Sequence, residues 1–293
     1  MTRTELLKKV AALNVWKRGS QRAPHKPLLV LYSLARLQRG NDERLIPFAE
    51  VDKPLTDLLK RFGPPRQSFH PEYPYWRLKT DGIWEVPDSE KFTRRKSSTD
   101  IPRGELLRQD AHAGFTEEVL ELFKSDPAFV METVRMILEA NFPDSFHQDI
   151  LDSLGLTLQI VKRKPRDPAF RIAVIQAYEH SCAVCGYDVK LGTVDLALEA
   201  AHIKWHQVSG PDTVQNGLAL CSLHHKAFDR GAIGLTDERR IVISADVYGQ
   251  SWVHDWFLRF KGQSLRSPHN PSLVPCEEYI HWHQREVFQG PAG

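Results

Sequence analysis

The sequence predicts an α+β fold in two units: a mainly helical N-terminal half, and a smaller C-terminal domain of short strands and helices built around paired ligand residues. Three observations predict it. Residues before about 155 hold several segments with helical spacing of apolar residues. A charged stretch with two prolines, Lys162-Arg-Lys-Pro-Arg-Asp-Pro168, interrupts the chain. Beyond it, Cys182-x2-Cys185 and Cys221-x2-His224 stand 35 residues apart, among segments that suit short strands. The expected division is 1–160, a linker at 161–168, and 169–293, within the size range of ordinary domains.

The elements follow in order. Residues 4–17 read as an amphipathic helix with Leu6, Leu7, Val10 and Leu13 on one side. Ser20 to Pro24 breaks it. Pro27 suits the first turn of a second helix, Leu28 to Leu37, which is apolar on most sides and so belongs at the centre of the core. A short helix is expected at 51–61, closed by Gly63-Pro64-Pro65. Tyr75–Leu78 and Ile83–Val86 read as two strands around Thr80-Asp81-Gly82. Residues 87–104 read as a surface loop, followed by helices at 116–124, 127–141 and 145–153. The second unit opens with a helix at 168–179 and carries short strands near 233–244. Trp76 and Trp84 are expected in the core, and Tyr73-Pro74 in an exposed, proline-broken loop.

A hydrophobic fraction of 41% and a charged fraction of 26% are those of a globular protein. No apolar run approaches the roughly 18–20 residues of a membrane span. The start, MTRTELLKKVAALNVWKRGS, has no apolar signal core, so the expected location is the cytoplasm. The net charge of +2 conceals an asymmetry: residues 1–108 carry 22 Lys+Arg against 13 Asp+Glu, and residues 109–150 carry 2 against 9. The basic first hundred residues suit a polyanionic partner or a solvated basic face.

Two ligand sets overlap between Cys182 and Asp229. Cys182, Cys185, Cys221 and His224 can fill the four corners of a closed tetrahedral site, which points to structural Zn2+. Cys276 stands apart from them. His202 follows an apolar stretch that suits a short strand, Asn216 lies in the loop after Ser209-Gly210-Pro211-Asp212, and a helix after Cys221 carries His224, His225, Phe228 and Asp229. Consecutive helical residues diverge by about 100°. His224 can therefore face the zinc while His225 faces elsewhere, with Asp229 at i+4 on the same side as His225. Such a pair can hold a divalent cation, Mg2+ or Mn2+, with positions left for phosphate oxygens and water. A neutral His202 can take a proton from water, and Asn216 can orient the histidine or its loop. That chemistry is phosphodiester hydrolysis.

These residues resemble the HNH (ββα-metal) nuclease motif. Leu198-Glu199-Ala200-Ala201-His202-Ile203, Asn216-Gly217-Leu218-Ala219-Leu220-Cys221 and His225-x2-Phe228-Asp229-Arg230-Gly231 are similar to Mcr-type bacterial restriction nucleases. One position departs: the family often has an Asp or His metal ligand just before the base, and here it is Ala201. The metal then rests on His225 and Asp229, with Glu199 as an open third candidate. One such site cuts one strand, so a double-strand break requires two visits or two copies, as in a homodimer.

The basic N-terminal half suggests what is bound. Arg22-Ala23-Pro24-His25-Lys26-Pro27 places charge ahead of a helix start, where backbone N–H groups favour a phosphate. Arg66, Gln67, His70, Tyr73 and Pro74 mix rings, prolines and donors, and Arg103 follows in the basic loop. Pro24-His25-Lys26-Pro27-Leu28-Leu29, then Tyr73-Pro74 and Asp81-Gly82-Ile83-Trp84, resembles the DNA sulfur-binding domain of phosphorothioate-dependent restriction endonucleases. The resemblance implies double-stranded, phosphorothioated DNA as partner. It carries His25, Lys26, Tyr73 and Pro74 as sulfur-pocket and strand-holding residues; Arg22, Arg66, Gln67, His70 and Arg103 join them on chemistry. One alternative keeps the nuclease and changes the mark to methylated or hydroxymethylated cytosine. Another keeps a zinc-containing DNA-binding module without catalysis.

Overall fold

The structure, a computed structural model, describes residues 1–13, 23–41, 43–95, 98–156 and 168–290. The chain divides into two compact units, Met1–Val161 and Lys162–Gly293.

The N-terminal unit contains α1 (Arg3–Ala11), α2 (His25–Gln38), β1 (Leu45–Pro47), α3 (Phe48–Phe62), α4 (Glu72–Arg77), β2 (Trp84–Glu85), α5 (Arg103–Arg108), β3 (His112–Phe115), α6 (Glu117–Ser125), α7 (Pro127–Asn141) and α8 (Asp144–Leu154). Thr2 and Glu5 form a reciprocal capping box that starts α1, with Leu6 and Val10 turned inward. The remainder of the expected first helix, beyond Leu13, lies outside the described residues. Every residue of α2 from Lys26 to Ala35 is buried, and this helix packs against α3, α4, α7 and α8. It is the core helix that its all-round apolar pattern predicts.

α3 runs longer than its expected span and continues through Pro54. A proline there cannot donate to the carbonyl of Glu50. The Tyr32 hydroxyl donates to that carbonyl at 3.3 Å, so the lost helical bond is replaced from α2. The three short strands form one antiparallel sheet in the order β1-β3-β2. Gly114 pairs with Leu45 in that sheet, and a Cβ on it would fall 1.7 Å from the Arg44 carbonyl oxygen.

Tyr75–Leu78 is not a strand. It forms the end of α4 and the start of a 3-10 turn that reaches Asp81. Pro71 and Pro74 explain the difference: both sit where a helix start needs no N–H donor, and both hold φ near its helical value. The aromatic residues that mimicked strand composition instead point into the core. The Tyr75 hydroxyl donates to the Ile46 and Ala111 carbonyls at 2.7 and 2.9 Å. Trp84 Nε1 donates to the Tyr75 carbonyl at 3.1 Å. Trp76 and Trp84 are both buried.

The C-terminal unit contains α9 (Pro168–Ala177), β4 (Lys190–Leu191), β5 (Val194–Asp195), β6 (Leu198–His202), β7 (Gly217–Cys221), α10 (Ser222–Asp229), β8 (Ile233–Leu235), β9 (Ile241–Ile243), α11 (Val253–Trp256) and α12 (Glu277–Glu286). β6 and β7 pair antiparallel from Leu198↔Cys221 to His202↔Gly217, and α10 follows at once. Val174, Ile203, Leu218, Leu220, Phe228 and Ile233 fill the core around this ββα unit. Ala201 is fully buried and faces that core. The strand position that precedes the base therefore points away from His202. Among the described residues no helix is long and apolar enough to cross a membrane. The linker positions 161–167 lie outside the described residues.

Candidate functional site

Cys182 and Cys185 lie on a knuckle closed by the Gly186 N–H, which donates to the Cys182 carbonyl at 2.8 Å. Gly186 takes φ +76°, in the region glycine tolerates. Cys221 ends β7, and His224 lies in the first turn of α10. The ligand atoms of Cys182, Cys185, Cys221 and His224 all lie within 4.8 Å of one another. His224 Nδ1 is 3.2 Å from Cys221 Sγ and 3.7 Å from Cys182 Sγ. Its Nε2 donates to the Trp256 carbonyl at 2.8 Å. That bond orients Nδ1 toward the sulfurs, as an outer partner does for a metal-binding imidazole. The contacts with Cys185 and Cys221 drive the Cys182 thiol well below its usual range, towards thiolate. The four residues can hold a metal ion. Among the described residues they are the one group of three or more such side chains gathered this closely.

The second set surrounds α10 and the β6 end. His225 is clasped by two carboxylates. Its Nδ1 lies 2.5 Å from Glu199 Oε2, and its Nε2 lies 3.3 Å from Asp229 Oδ2. Asp229 is buried. The bond from His225 is the main reason that Glu199 is held down to about 2; burial opposes it, and Ser222, at 2.6 Å, adds to it. His225 and Asp229 thus meet as their i, i+4 spacing predicts, whereas Glu199 reaches the opposite ring nitrogen.

His202 ends β6. Its Nε2 is 2.7 Å from Asp212 Oδ1, and its ring stacks on Phe170 at 4.0 Å and 17°. Asn216 is fully buried. Its Oδ1 accepts from the Lys204 N–H at 2.8 Å, and its Nδ2 donates to the Lys204 and Pro211 carbonyls at 2.9 Å each. Of the two tasks its amide suggested, these bonds serve the loop.

The N-terminal residues gather around the α2 start and α4. Burial holds His25 down to about 4, and the nearness of Arg66, His70 and Arg77 pushes the same way. His25 is therefore neutral near pH 7. His70 stacks on Tyr73 at 4.7 Å and 18°, and its Nδ1 and Nε2 meet Glu72 Oε1 at 3.0 Å and Ser68 Oγ at 2.9 Å. The Arg77 guanidinium lies 4.6 Å from the Tyr73 ring centre and makes two bonds to Asp100, at 2.7 and 2.6 Å. Arg95 lies 5.4 Å from the same ring and donates to Glu72 at 3.2 Å. Arg66 and Gln67 are exposed on the loop before α4, and exposed Arg103 donates to Asp52 at 2.7 Å.

Two expectations need correction. Lys26 does not face a ligand: its ammonium is buried and paired with Asp81 Oδ2 at 2.5 Å, so its charge is spent inside the fold. Tyr73 and Pro74 belong to α4 rather than to an exposed loop; Pro74 is buried, and the Tyr73 ring is half covered by His70, Arg77 and Arg95. Arg22 lies outside the described residues. The sequence reading did not single out Asp212, Glu72, Asp100 or Arg95 as site residues. Their pairings with His202, Arg95 and Arg77 span 10 to 23 residues, beyond the reach of local spacing, and only unusually deep burial of acids, as at Glu72 and Asp100, marks them.

A family model described as "ScoMcrA-like, DNA sulfur-binding domain" matches residues 3–159, and an HNH endonuclease model matches residues 182–236. No curated protein matches the chain. Among solved structures, the chain is similar to the sulfur-binding domain of ScoMcrA complexed with phosphorothioated DNA, at 22% identity over 51% of this chain and 94% of that one, with a TM-score of 0.45. It is similar to the SprMcrA sulfur-binding domain complexed with phosphorothioated DNA at 20% identity, over 53% of this chain and 95% of that one, with a TM-score of 0.43. It is also similar to the type IV phosphorothioation-dependent restriction endonuclease ScoMcrA, at 20% identity and a TM-score of 0.43, covering 56% of this chain and 37% of that one.

Proposed function

The chain belongs to the ScoMcrA-like DNA sulfur-binding domain family, and from that premise we propose that it is a modification-dependent restriction endonuclease that recognises phosphorothioated duplex DNA and hydrolyses its phosphodiester bonds. Residues 1–160 read the mark and residues 169–293 cut. The observation that carries the proposal is the presence, in one chain, of the sulfur-binding match and an HNH domain whose His202, His225 and Asp229 stand on one ββα unit.

The reading follows from the chemistry of sulfur. A phosphorothioate sulfur is larger and less strongly hydrated than oxygen, so an apolar wall favours it and penalises the oxygen. The half-covered Tyr73 ring offers that wall. The neutral His25 adds no charge that would draw an ordinary phosphate oxygen. Arg66, His70, Arg103 and Gln67 hold the strand through phosphate oxygens and base edges.

The cut follows from the second unit. Three sulfurs and an imidazole suit Zn2+, whose bonds of about 2.3 Å to sulfur and about 2.0 Å to nitrogen imply sulfur–nitrogen separations of about 3.5 Å. The separations of 3.2 and 3.7 Å around His224 Nδ1 fit that ion. His225 Nε2 and Asp229 suit a second divalent cation, Mg2+ or Mn2+, with Glu199 holding the other ring nitrogen. When bound, that cation neutralises charge on the phosphate and on the leaving oxygen. His202 takes the proton from the attacking water. Asn216 keeps the loop beyond His202 in place.

The test is cleavage of matched duplexes with and without a phosphorothioate, with Mg2+ or Mn2+. The modified duplex is cut and the unmodified one is not. Equal cutting of both would remove the sulfur-reading assignment and leave only the nuclease.

A further inference from the structure

Two of the neighbours of His202 bear on the setting of its ring, and one of them carries charge. Asp212 Oδ1 lies 2.7 Å from Nε2. An ionised carboxylate only accepts hydrogen bonds. Nε2 therefore carries the proton in this pair, and in a neutral ring Nδ1 is the nitrogen able to accept one.

The other neighbour sets the plane of the ring. Phe170, on α9, stacks on the imidazole at 4.0 Å. Gly217 lies opposite His202 across the strand pair. A Cβ on Gly217 would fall 2.4 Å from Val174 Cγ2 and 3.2 Å from two Phe170 ring carbons. The bare glycine is what lets α9 lie this close and Phe170 reach His202.

The loop that carries Asp212 is itself tied down. Asn216 donates to the carbonyl of Pro211, the residue just before Asp212, and bonds both the N–H and the carbonyl of Lys204. The chain of contacts runs from buried Asn216 to the loop backbone, from the loop to Asp212, and from Asp212 to His202.

We propose that Asp212 is the positioning residue of the hydrolytic base: it selects the Nε2–H tautomer of His202, turns the basic Nδ1 toward the attacking water, and stabilises the imidazolium that forms. This rests on the reading of His202 as general base. In the step, the water oxygen forms the new O–P bond while its proton passes to Nδ1. The electron pair of the breaking P–O bond leaves with the departing oxygen, which takes a proton from solvent. Asp212 stays a carboxylate throughout and faces a cation where it faced a neutral ring. The same logic holds for a carboxylate behind a histidine base in acyl transfer.

The experiment uses the full chain and phosphorothioated duplex with Mn2+ under single-turnover conditions. Asp212→Asn is expected to slow cleavage at least about tenfold, a share of the roughly 10²–10⁴-fold that a positioned acid–base group supplies. DNA affinity is expected to stay within about twofold, because the substituted side chain touches the base rather than the reading unit. Asp212→Glu, which restores the acceptor, is expected to recover much of the rate. Chain labelled with 15N-histidine gives an independent readout. His202 shows the Nε2–H tautomer in the parent protein, and a mixture in Asp212→Asn. Unchanged cleavage by Asp212→Asn overturns the inference, as does a slowed variant whose His202 tautomer is unaltered. The parent chain and His202→Ala run alongside. A parent chain that cuts no DNA removes the nuclease reading and this inference together. An active parent with an equally active Asp212→Asn removes this inference alone.

Discussion

His25 and His225 stand near the starts of their helices, in surroundings of opposite sign. His25 lies among Arg66, His70 and Arg77 and is kept neutral by burial and by those charges. His225 lies between Glu199 and Asp229, and His202 lies against Asp212. The same side chain is suited to two chemistries because its neighbours differ. In the N-terminal unit a neutral ring among cations can sit beside a weakly hydrated anion without competing for it. In the C-terminal unit, rings backed by carboxylates are suited to taking up a proton or a metal ion.

The sharpest way to break this comparison is to remove the ion for which the Cys3His cluster is suited. Chelation or Cys221→Ser is expected to unfold the C-terminal unit, since zinc binding to such sites is worth on the order of 10 kcal/mol of folding free energy. Near-UV circular dichroism with metal analysis tests it, and a retained C-terminal signal after metal loss would count against a structural ion. Next in size is His202→Ala. Cleavage is expected to fall by about 10²–10⁴-fold with DNA binding intact; cleavage at the parental rate would take His202 out of the reaction.

A pH titration sharpens the N-terminal side. The folded value of His25 lies near 4, below the ordinary 6.5, so the unfolded chain binds the extra proton first. Its contribution is present above about pH 6.5 and is lost as pH falls towards 4, to the extent of about 3 kcal/mol. In urea titrations His25→Gln is expected to flatten that slope, and an unaltered slope would show that His25 is not the group responsible. The smallest effect is expected from Tyr73→Ala, which removes one wall and a cation–π partner. The preference for phosphorothioate over phosphate should drop by about fivefold, read from competition binding; an unchanged ratio would refute a pocket role for the ring.

The legible parts of the chain were those written in local spacing. Cys182-x2-Cys185 and Cys221-x2-His224 converge because each pair occupies one turn. The i, i+4 relation of His225 and Asp229 survives because it is helix geometry. The periodic segments at 127–141 and 145–153 form α7 and α8 within a residue. What failed was set at longer range. Tyr75–Leu78 has strand-like composition, but prolines 71 and 74 and the reach of the Tyr75 hydroxyl to Ile46 and Ala111 make it helical. Lys26 has the charge of a phosphate ligand, and Asp81, 55 residues away, takes that charge into the core. Asp212 shared a loop with known turn residues, and nothing local marks it as the partner of His202.

The adjacency of His224 and His225 has a further consequence. One residue is tied through the cysteines and the Trp256 carbonyl, and the next projects about 100° around the same helix. An ion in the cysteine cluster would therefore bear on the rotational phase of α10, and through it on the aim of His225. The Glu199 and Asp229 contacts hold the His225 ring from its other side. If the cluster holds a structural ion, its loading would help to align the residues proposed to cut.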